Sequence, residues 1–408
     1  MANQRYLAAG VDAGSWRTRC VICLLEGSRL RYLGHGEAVS TGWAKGRIAD
    51  QNELAMRIRE AVRAAEKRAQ IPVDAVVAGV GGATVHGGNS HGVFEFGQSR
   101  IAQPEDLTYA MNLASRVRLE NDRMVLQVLP QDFVVDGRAG YRKPKGMTCS
   151  RLDANVHIVT ASRQEHDCLV EAMHEAHLAV EDTVLEPMAA AYAAILPDDR
   201  NRGAALIDIG MHSTDLVIYD GDSVVRAASI PVAGDHFTRD AACMLTIAYE
   251  DAERLKQEYG CALLGLTADT TLIEVPSPES RGPREVRRRE LIEILEARAE
   301  ELFELVRAEI LRADMEQGLL EGVVLAGGGA SLTGMCDMAE RVLNCPARNA
   351  LPLGIGNLPK EIDSAEWTTA VGLAMYSARL KTRRDVKRRT PGLVGMLRKE
   401  REENHGTA

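Results

Sequence analysis

Residues 204–219 read AALIDIGMHSTDLVIY, and this stretch carries the strongest fold signal in the chain. An apolar run leads into Asp208, the chain turns at Gly210, and a second apolar run follows Asp215. This pattern predicts a β-hairpin whose turn presents a carboxylate and a series of backbone N–H groups. Such a turn is suited to holding a metal-bound phosphate.

The same unit occurs a second time near the N-terminus. A shift of 196 positions places residues 9–22 (AGVDAGSWRTRCVI) beside residues 205–218. The shift aligns a carboxylate, a glycine and a threonine of the two copies: Asp12 with Asp208, Gly14 with Gly210, and Thr18 with Thr214. Two copies of one strand–turn–strand unit predict two related halves with a nucleotide between them.

The composition is that of an ordinary soluble chain with room for two domain cores. The 408 residues are 45% hydrophobic and 26% charged. The formal net charge of −9 argues against a nucleic-acid partner, since such binders are normally basic. Neither a signal peptide nor an apolar run of about 18 residues is recognisable, which predicts a cytosolic protein without a membrane span. Cys20 and Cys23 form a CxxC inside a strand-like segment, and we expect a buried reduced pair rather than a metal or redox centre.

The charge is distributed unevenly along the chain. From Arg379 onward there are ten Lys or Arg against four Asp or Glu, so the tail is basic and the preceding body is acidic. A basic tail favours an anionic surface as partner, most simply a membrane.

An additional module interrupts the first half. Residues 81–97 are rich in glycine and polar side chains, and we expect them to form turns. Residues 125–135 and 155–161 are strand-like, with the basic loop 138–145 between them. Together with the helix that precedes them, they indicate a compact α/β module inserted into the first domain.

Two further segments place polar groups at the ends of elements. Glu186 follows a strand and precedes an alanine-rich helix, so its carboxylate points beyond the strand; a helix-capping role is the alternative. Gly234 and Asp235 form the turn before a helix, whose free N–H groups predict a second anion site.

Two other features belong to the same hypothesis. Glu253 and Lys256 lie three residues apart on a predicted helix, a spacing typical of a surface ion pair, although contact with a ribose or base is the alternative. An apolar strand at residues 322–326 leads into three consecutive glycines, which permit close approach of a flat ligand or a phosphate: Gly327, Gly328 and Gly329.

These motifs resemble the actin superfamily of ATP-binding proteins. VDAGSWRTRC (11–20) is similar to its first phosphate loop, LIDIGMHSTDLVIY (206–219) to the second, and LAGGGASLTG (325–334) to its adenosine loop. LEPMAAAYA (185–193) and EWTTAVGLAMY (366–376) resemble its two connecting helices. The resemblance implies a two-domain, actin-like α/β fold.

Within the superfamily the resemblance is to the FtsA family of bacterial division proteins. It rests on PVAGDHFTRDAA (231–242), GCALL (260–264) with IEVPS (273–277), VLQVLPQDFVVDG (125–137) and the terminal PGLVGMLRKE (391–400). The family adds an inserted subdomain and a C-terminal amphipathic helix. The implied parts are domain 1 (1–82 and 162–203), the inserted subdomain (83–161), the domain 2 core (204–235 and 321–380), its outer subdomain (236–320), a basic linker (381–390) and a membrane-targeting tail (391–408).

The resemblance also implies roles for individual residues toward ATP and Mg²⁺. Asp12 and Asp208 would orient the metal through its waters, and Glu186 would position the attacking water, which makes Glu186 and Asp208 the candidate catalytic residues. The phosphates would be wrapped by two loops: Gly14, Ser15 and Trp16, and Gly210, Met211, His212 and Ser213. The remaining nucleotide contacts would come from the features described above: Gly234, Asp235, Glu253, Lys256, Gly327, Gly328 and Gly329.

The implied partners are those of a membrane tether at the division site. The family holds FtsZ polymers at the cytoplasmic face of the cell membrane, assembles into actin-like filaments and recruits later division proteins. EARAEEL (296–302) resembles the segment that receives the FtsZ C-terminal tail, which assigns Arg298 and Glu301 to that contact. The tail offers few apolar side chains beside its basic ones for anionic lipids: Leu393, Val394, Met396, Leu397, Arg398 and Lys399.

One departure from the superfamily concerns the second phosphate loop, which usually reads DIGGGTTD. Met211 and His212 replace two of its glycines, so their side chains either obstruct approach to the γ-phosphate or change the turn. We therefore expect ATP binding with at most weak hydrolysis, and no metabolic enzyme. His212 either contacts phosphate or reflects drift in a weak ATPase.

Three other functions share parts of this pattern. A sugar kinase would need an acidic base in a sugar cleft, and none is identifiable. A DnaK-type chaperone would need a peptide-binding domain after the ATPase, for which the chain is too short. A pilus-assembly relative of FtsA, a peptide-binding scaffold, remains the alternative, although it is not expected to carry an amphipathic tail.

Overall fold

The structure is a computed structural model that describes residues 5–267, 271–276 and 282–389. Its strands are β1 (Arg5–Ala13), β2 (Arg17–Glu26), β3 (Arg29–Val39), β4 (Trp43–Ala44), β5 (Arg47–Ile48), β6 (Ala75–Val80), β7 (His86–Ile101), β8 (Arg123–Val135), β9 (Arg138–Tyr141), β10 (Thr148–Ser162), β11 (Ala179–Leu185), β12 (Ala204–Ile209), β13 (Thr214–Asp220), β14 (Ser223–Ile230), β15 (Leu272–Val275), β16 (Arg284–Arg287), β17 (Val323–Ala326), β18 (Ala347–Asn349) and β19 (Ile355–Gly356).

The helices lie between and beside these strands. They are α1 (Gln51–Ala69), α2 (Pro104–Ala114), α3 (Arg163–Glu175), α4 (Glu186–Ala194), α5 (Pro197–Asn201), α6 (Gly234–Leu245), α7 (Tyr249–Tyr259), α8 (Arg288–Arg312), α9 (Met335–Leu343) and α10 (Thr368–Arg389). Short 3₁₀ turns occupy Leu264–Leu266, Gly328–Ser331, Lys360–Ile362 and Ala365–Trp367.

The two copies of the repeated unit form the centres of two separate sheets. One sheet has the strand order β11-β6-β1-β2-β3-β19, and the other has β14-β13-β12-β17-β18. In the first copy Asp12 pairs with Arg19, and in the second Asp208 pairs with Asp215, so the 196-residue shift superposes the register of both hairpins. Each copy also has a parallel strand beside its first strand, β6 or β17. The predicted internal duplication is confirmed.

The inserted module forms its own four-stranded sheet, β7-β10-β8-β9. The prediction of turns over residues 81–97 is wrong, because most of this segment belongs to the 16-residue strand β7. Two glycines within strand β7 allow close packing. A side chain at Gly92 would lie 2.7 Å from the Ala110 carbonyl oxygen of α2, and one at Gly87 would overlap with the backbone of β14 at Ala227.

The connecting helices α4 and α10 cross at small residues. A side chain at Gly372 on α10 would overlap with the Ala189 carbonyl oxygen on α4, and a side chain at Gly10 of β1 would lie 2.5 Å from Leu373 Cβ. The alanine-rich sequence of α4 therefore allows the two helices to pack closely beneath both sheets.

The end of the chain differs from the predicted division. Helix α10 continues to Arg389 and includes residues 381–389 of the segment expected to be a linker. The predicted membrane residues lie outside the described residues: Leu393, Val394, Met396, Leu397, Arg398 and Lys399. None of the described helices has the length and apolar character needed to cross a membrane. Cys20 and Cys23 are both buried and free, as expected.

Candidate functional site

A cavity of about 570 Å³ lies between the two sheets, at the ends of β1 and β12. Every residue predicted to contact nucleotide lines it: Asp12, Gly14, Ser15, Trp16, Glu186, Asp208, Gly210, Met211, His212, Ser213, Gly234, Asp235, Glu253, Lys256, Gly327, Gly328 and Gly329. Residues from six separate segments of the sequence therefore converge on one site.

The first loop is held in place by a serine that the sequence did not indicate. Ser40 donates a hydrogen bond of 2.6 Å from its hydroxyl to the Gly14 carbonyl, and its backbone N–H donates to the Trp16 carbonyl at 3.0 Å. A side chain at Gly14 would lie 2.9 Å from the Arg17 carbonyl, so the tight turn favours glycine. Trp16 is half-exposed at the mouth of the cavity.

The second loop is an unstrained turn despite its departure from the usual sequence. Gly210 donates its N–H to the Ser213 carbonyl at 3.0 Å. Neither Met211 nor His212 has a positive φ, so the backbone at these positions does not require glycine. His212 Nδ1 is hydrogen-bonded to Ser15 Oγ at 2.9 Å, which links the two loops across the cavity. Burial lowers the pKa of His212, so this bridge is made by a neutral imidazole.

The carboxylates at the floor of the cavity are crowded. Burial raises the pKa of Asp12 to about 6, against the opposing effect of Arg19. Burial raises the pKa of Asp208 to about 7, and the charges of Asp12 and Asp215 act in the same direction. A hydroxyl hydrogen bond of 2.7 Å from Thr369 to Asp208 opposes that increase.

Glu186 begins α4 directly beside this group. Burial raises its pKa well above the ordinary value, and Asp12, Asp215 and Asp208 add repulsion. A side chain at Gly81 would lie 2.9 Å from Glu186 Cδ and 3.1 Å from Asp215 Oδ2, so both carboxyl groups approach the Gly81 backbone where a larger residue would place its Cβ. Burial and this repulsion therefore favour the protonated form of Glu186 when no cation is bound.

Asp215 joins the second loop to the start of the inserted module. Its Oδ2 accepts hydrogen bonds from the Ser213 hydroxyl at 3.1 Å and from the Gly82 N–H at 2.9 Å. The sequence pattern places Asp215 only at the end of the turn and predicts no contact for its side chain. The internal repeat was an available signal, since the shift of 196 positions aligns Asp215 with Arg19, another residue of the cavity wall.

Arg19 ties the two halves together from the first sheet. Its Nε donates to Glu37 at 2.8 Å, while its other guanidinium nitrogens donate to the Glu366 carboxylate at 2.9 Å and the Glu366 carbonyl at 3.0 Å. Ser331 donates to the same Glu366 carboxylate at 3.1 Å. This network fixes the start of α10 against the turn that follows the glycines.

The first and third of the three glycines pack against the end of β12, at Asp208 and Ile209. Gly327 has φ of +82°, and a side chain there would lie 2.5 Å from the Ile209 carbonyl oxygen. A side chain at Gly329 would overlap with Ile209, whereas Gly328 has open space beside it. The first and third glycines are therefore required by packing, and the second leaves the backbone open to a ligand.

The expectation of free N–H groups at the start of α6 is wrong. The N–H of Gly234 donates to the Gly210 carbonyl at 3.0 Å, and that of Asp235 donates to the Met211 carbonyl at 2.8 Å. The helix N-terminus thus supports the second loop, and Gly234 and Asp235 line the cavity without offering these N–H groups to an anion. The Asp235 carboxylate is engaged by Tyr249 at 2.8 Å and Arg239 at 2.6 Å.

Glu253 and Lys256 form a half-buried ion pair of 2.7 Å in the cavity wall, not a surface pair. Thr238 donates its hydroxyl to Glu253 and lies 2.8 Å from the Lys256 ammonium group. Arg298 and Glu301 lie outside the cavity on α8, where they pair with each other, and Arg298 also contacts Asp240 at 2.6 Å.

The floor of the cavity fits a hydrated divalent cation. Burial and mutual repulsion favour the protonated forms of its four acidic side chains: Asp12, Glu186, Asp208 and Asp215. In the part of the chain that the structure describes, no three His, Cys, Asp or Glu side chains are grouped closely enough to hold one ion directly. A cation here would be held through its water molecules, as Mg²⁺ often is.

Comparison with protein families gives two matches. The family described as "Cell division protein FtsA" matches residues 205–372, and the "SHS2 domain inserted in FTSA" matches residues 82–160. The chain is 32% identical to Cell division protein FtsA of Pseudomonas aeruginosa, over 91% of this chain and 89% of that protein. It is 30% identical to Cell division protein FtsA of Escherichia coli K12, over 97% and 96%.

Solved structures with the same fold come from more distant proteins. The PilM-PilN type IV pilus biogenesis complex gives a TM-score of 0.66 at 18% identity, covering 91% of this chain and 98% of that one. MreB 5 of Spiroplasma citri bound to AMPPNP gives 0.55 at 15% identity, covering 93% and 98%. The MamK double helical filament gives 0.52 at 13% identity, covering 91% and 98%. These similarities confirm the actin-like fold.

Proposed function

Since this chain belongs to the FtsA family of cell division proteins, we propose that it is a nucleotide-binding, actin-like filament protein that tethers FtsZ polymers to the cytoplasmic membrane. On this proposal it also recruits later division proteins to the division site. Its role is to position the division polymers and not to make a chemical product.

The observation that carries the proposal is the convergence of both phosphate loops and the glycine turn on one cavity. Gly14, Ser15 and Trp16 face Gly210, Met211, His212 and Ser213 across it. Gly327, Gly328 and Gly329 form another part of its wall, and we assign the adenosine to that side. The size of the cavity, about 570 Å³, suits a ligand as large as ATP.

Within this proposal the carboxylates serve the metal. Asp12 and Asp208 would hold Mg²⁺ through its waters, and the ion would supply positive charge beside the phosphates. Glu186 accepts a hydrogen bond from a water beside the γ-phosphate once the cation lowers its pKa. Met211 and His212 stand where the superfamily's second loop has glycines, and on this ground we propose at most a weak ATPase. Glu253 and Lys256 contact the ribose or the base.

The remaining assignments concern partners. We assign Arg298 and Glu301 on α8 to the C-terminal tail of FtsZ. Both side chains lie on one exposed turn of α8, and Arg298 is already oriented by Asp240 at 2.6 Å. Self-association into filaments is supported by family membership and by the fold shared with MamK. The tail residues 391–408 supply peripheral attachment to anionic lipids, with Leu393, Val394, Met396 and Leu397 as its apolar side.

Weak tails become effective through assembly. One short tail binds a membrane marginally, while a filament presents many tails at a high effective concentration. Nucleotide binding that favours filaments should therefore increase membrane attachment.

Co-sedimentation with anionic vesicles tests the proposal. We expect the intact protein to pellet with vesicles, more so with Mg-ATP, and a version lacking residues 390–408 to stay in the supernatant. This truncation retains α10 to Arg389, so the fold is kept intact. An intact protein that stays soluble with and without Mg-ATP would refute the tethering role. A pilus-type scaffold would then become the better hypothesis, although both family matches favour division.

A further inference from the structure

The end of α10 lies at the edge of domain 1 that is farthest from the cavity. Strand β1 ends at Ala13, beside the cavity, so its first residue, Arg5, lies at the opposite edge of the sheet. Arg5 pairs with Glu26, and Glu26 pairs with Arg29, so the β2–β3 turn lies at that edge too. Lys381 of α10 donates to the Leu7 carbonyl there.

Helix α1 ends at the same edge. A side chain at Gly34 of β3 would lie 2.7 Å from the Ala69 nitrogen, so the last turn of α1 crosses β3 three residues from Arg31. Leu7 pairs with Leu24, and Leu24 pairs with Arg31. Two strand spacings separate Arg31 from Leu7, which is about 10 Å between Cα atoms. The ends of β3, α1 and α10, each of which carries lysine or arginine, therefore lie at the same edge.

Four cations at this edge are exposed and have no ion-pair partner among the described residues. They are Arg29, Arg31, Lys67 and Arg383, which we call the basic end face. The acidic residues nearby are largely neutralised. Glu26 pairs with Arg5 at 2.9 Å, and Glu181 pairs with Lys381 at 3.4 Å and Arg384 at 3.8 Å. Asp74, at the start of β6, is an exposed carboxylate at the same edge.

The way α10 is docked fixes where the tail leaves. Ser377 also donates to Glu181 at 3.2 Å, so three residues of one helix face hold α10 against the edge strand β11. The helix continues from Arg384 to Arg389, a rise of about 7.5 Å. The tail thus begins about one Debye length beyond the edge at physiological salt.

We propose that the basic end face lies directly against anionic phospholipid headgroups and shares membrane attachment with the tail. This inference rests on the membrane role proposed above. A lipid surface suits these cations because they are spread over three elements at the edge from which the tail emerges. The body that precedes Arg379 is acidic, since the whole chain has a net charge of −9 even with its basic tail. An anionic surface repels this body and so favours the end-on orientation.

The test compares two charge reversals in the full chain. The vesicles are phosphatidylcholine with about 30% phosphatidylglycerol, which is anionic. The first variant is Arg29→Glu with Arg31→Glu. The matched control is Arg116→Glu with Arg118→Glu, another exposed arginine pair two residues apart, in the loop after α2. Each basic residue near an anionic surface contributes a factor of about five in binding. We expect at least a tenfold loss for the first variant and less than a twofold loss for the control.

Further arms separate the explanations. A milder variant, Arg29→Ala with Arg31→Ala, should lose at least threefold and keep the melting temperature of the parent protein. On pure phosphatidylcholine the parent and variants should bind alike. Equal losses in the Arg29/Arg31 and control variants would overturn the inference while leaving the tethering role intact. An intact parent that ignores anionic vesicles would refute the tethering role itself. If the Arg29/Arg31 reversal abolished binding to labelled duplex DNA and left vesicle binding unchanged, the face would serve a nucleic acid instead.

Discussion

Replacing Asp208 with Asn should stabilise the nucleotide-free protein above neutral pH. The pKa of Asp208 is raised from 3.8 to about 7, first by burial and then by Asp12 and Asp215. The folded state therefore binds this proton more tightly than the unfolded state does. Stability accordingly falls as pH rises through the interval from about 4 to about 7, and the cost is complete above pH 7.

The size of this effect follows from the two pKa values. At 1.36 kcal/mol for each pH unit, the interval corresponds to roughly 4 kcal/mol. Because Asp208 borders an open cavity, water reduces this repulsion, and we expect Asp208→Asn to recover about 1–3 kcal/mol. The Thr369 hydroxyl, 2.7 Å from Asp208 Oδ2, can still donate to the amide oxygen of Asn. A gain of this size raises the melting temperature by several degrees, at about 2–4 °C for each kcal/mol.

The assay is thermal unfolding of the metal- and nucleotide-free protein at pH 8 and pH 5. The advantage of Asp208→Asn should be clear at pH 8 and nearly absent at pH 5, where the wild-type carboxyl group is protonated. Mg-ATP should stabilise wild type more than the variant, since the variant loses a metal contact. Glu258→Gln, at an exposed position of α7, is the control and should show neither effect. A variant that is less stable than wild type at pH 8, or equally improved at both pH values, would refute the reasoning.

Three more predictions concern the same cavity and its support. The affinity for Mg-ATP should rise between pH 5.5 and pH 8, because Asp12 (pKa about 6) and Asp208 (pKa about 7) must lose their protons before the cation binds. Calorimetry at several pH values checks this. Metal-free ATP should show a smaller rise. Thr369→Val removes the hydrogen bond that lowers the pKa of Asp208. The midpoint of the pH dependence of Mg-ATP affinity should therefore move upward, and the affinity at pH 7 should fall several-fold. An unchanged midpoint would contradict the role of Thr369. Gly372→Ala forces α10 away from α4 and should cost about 2 kcal/mol or more in thermal unfolding, whereas Gly356→Ala, whose added carbon would be 3.7 Å from its nearest neighbour, should cost less than half of that.

The sequence was most informative where local pattern and repetition agreed. The 196-residue shift predicted both hairpins down to their register, because a strand–turn–strand unit is specified by contiguous residues. The same local logic failed over residues 81–97. Glycines there were interpreted as turn formers, but Gly92 is needed because α2 packs on β7, a contact between segments that no local pattern reveals. Tertiary packing determined the outcome.

The same distinction between local pattern and long-range contact applies to the residues of the site. The residues that line the cavity were predicted, since each belongs to a recognisable loop. The residues that hold those loops were missed, because each lies far along the chain from its partner: Ser40 from Gly14, and Thr369 from Asp208. Backbone contacts between distant segments also decide what a motif can bind. The start of α6 was expected to bind an anion, and its N–H groups instead support the carbonyls of the second loop.

Electrostatic repulsion and hydrogen bonds act in opposite directions between the two halves of the protein. Their balance explains how nucleotide could control assembly without hydrolysis. Asp12 from one half and Asp208 from the other repel each other across the cavity, and this repulsion disfavours a closed cleft. Against it act contacts between the two halves, among them His212 with Ser15 at 2.9 Å and Gly82 with Asp215 at 2.9 Å. A cation between the two aspartates would convert the repulsion into attraction, so Mg-ATP should close the cleft by neutralisation alone. If the proposed filaments require the closed form, nucleotide binding alone would then favour their assembly.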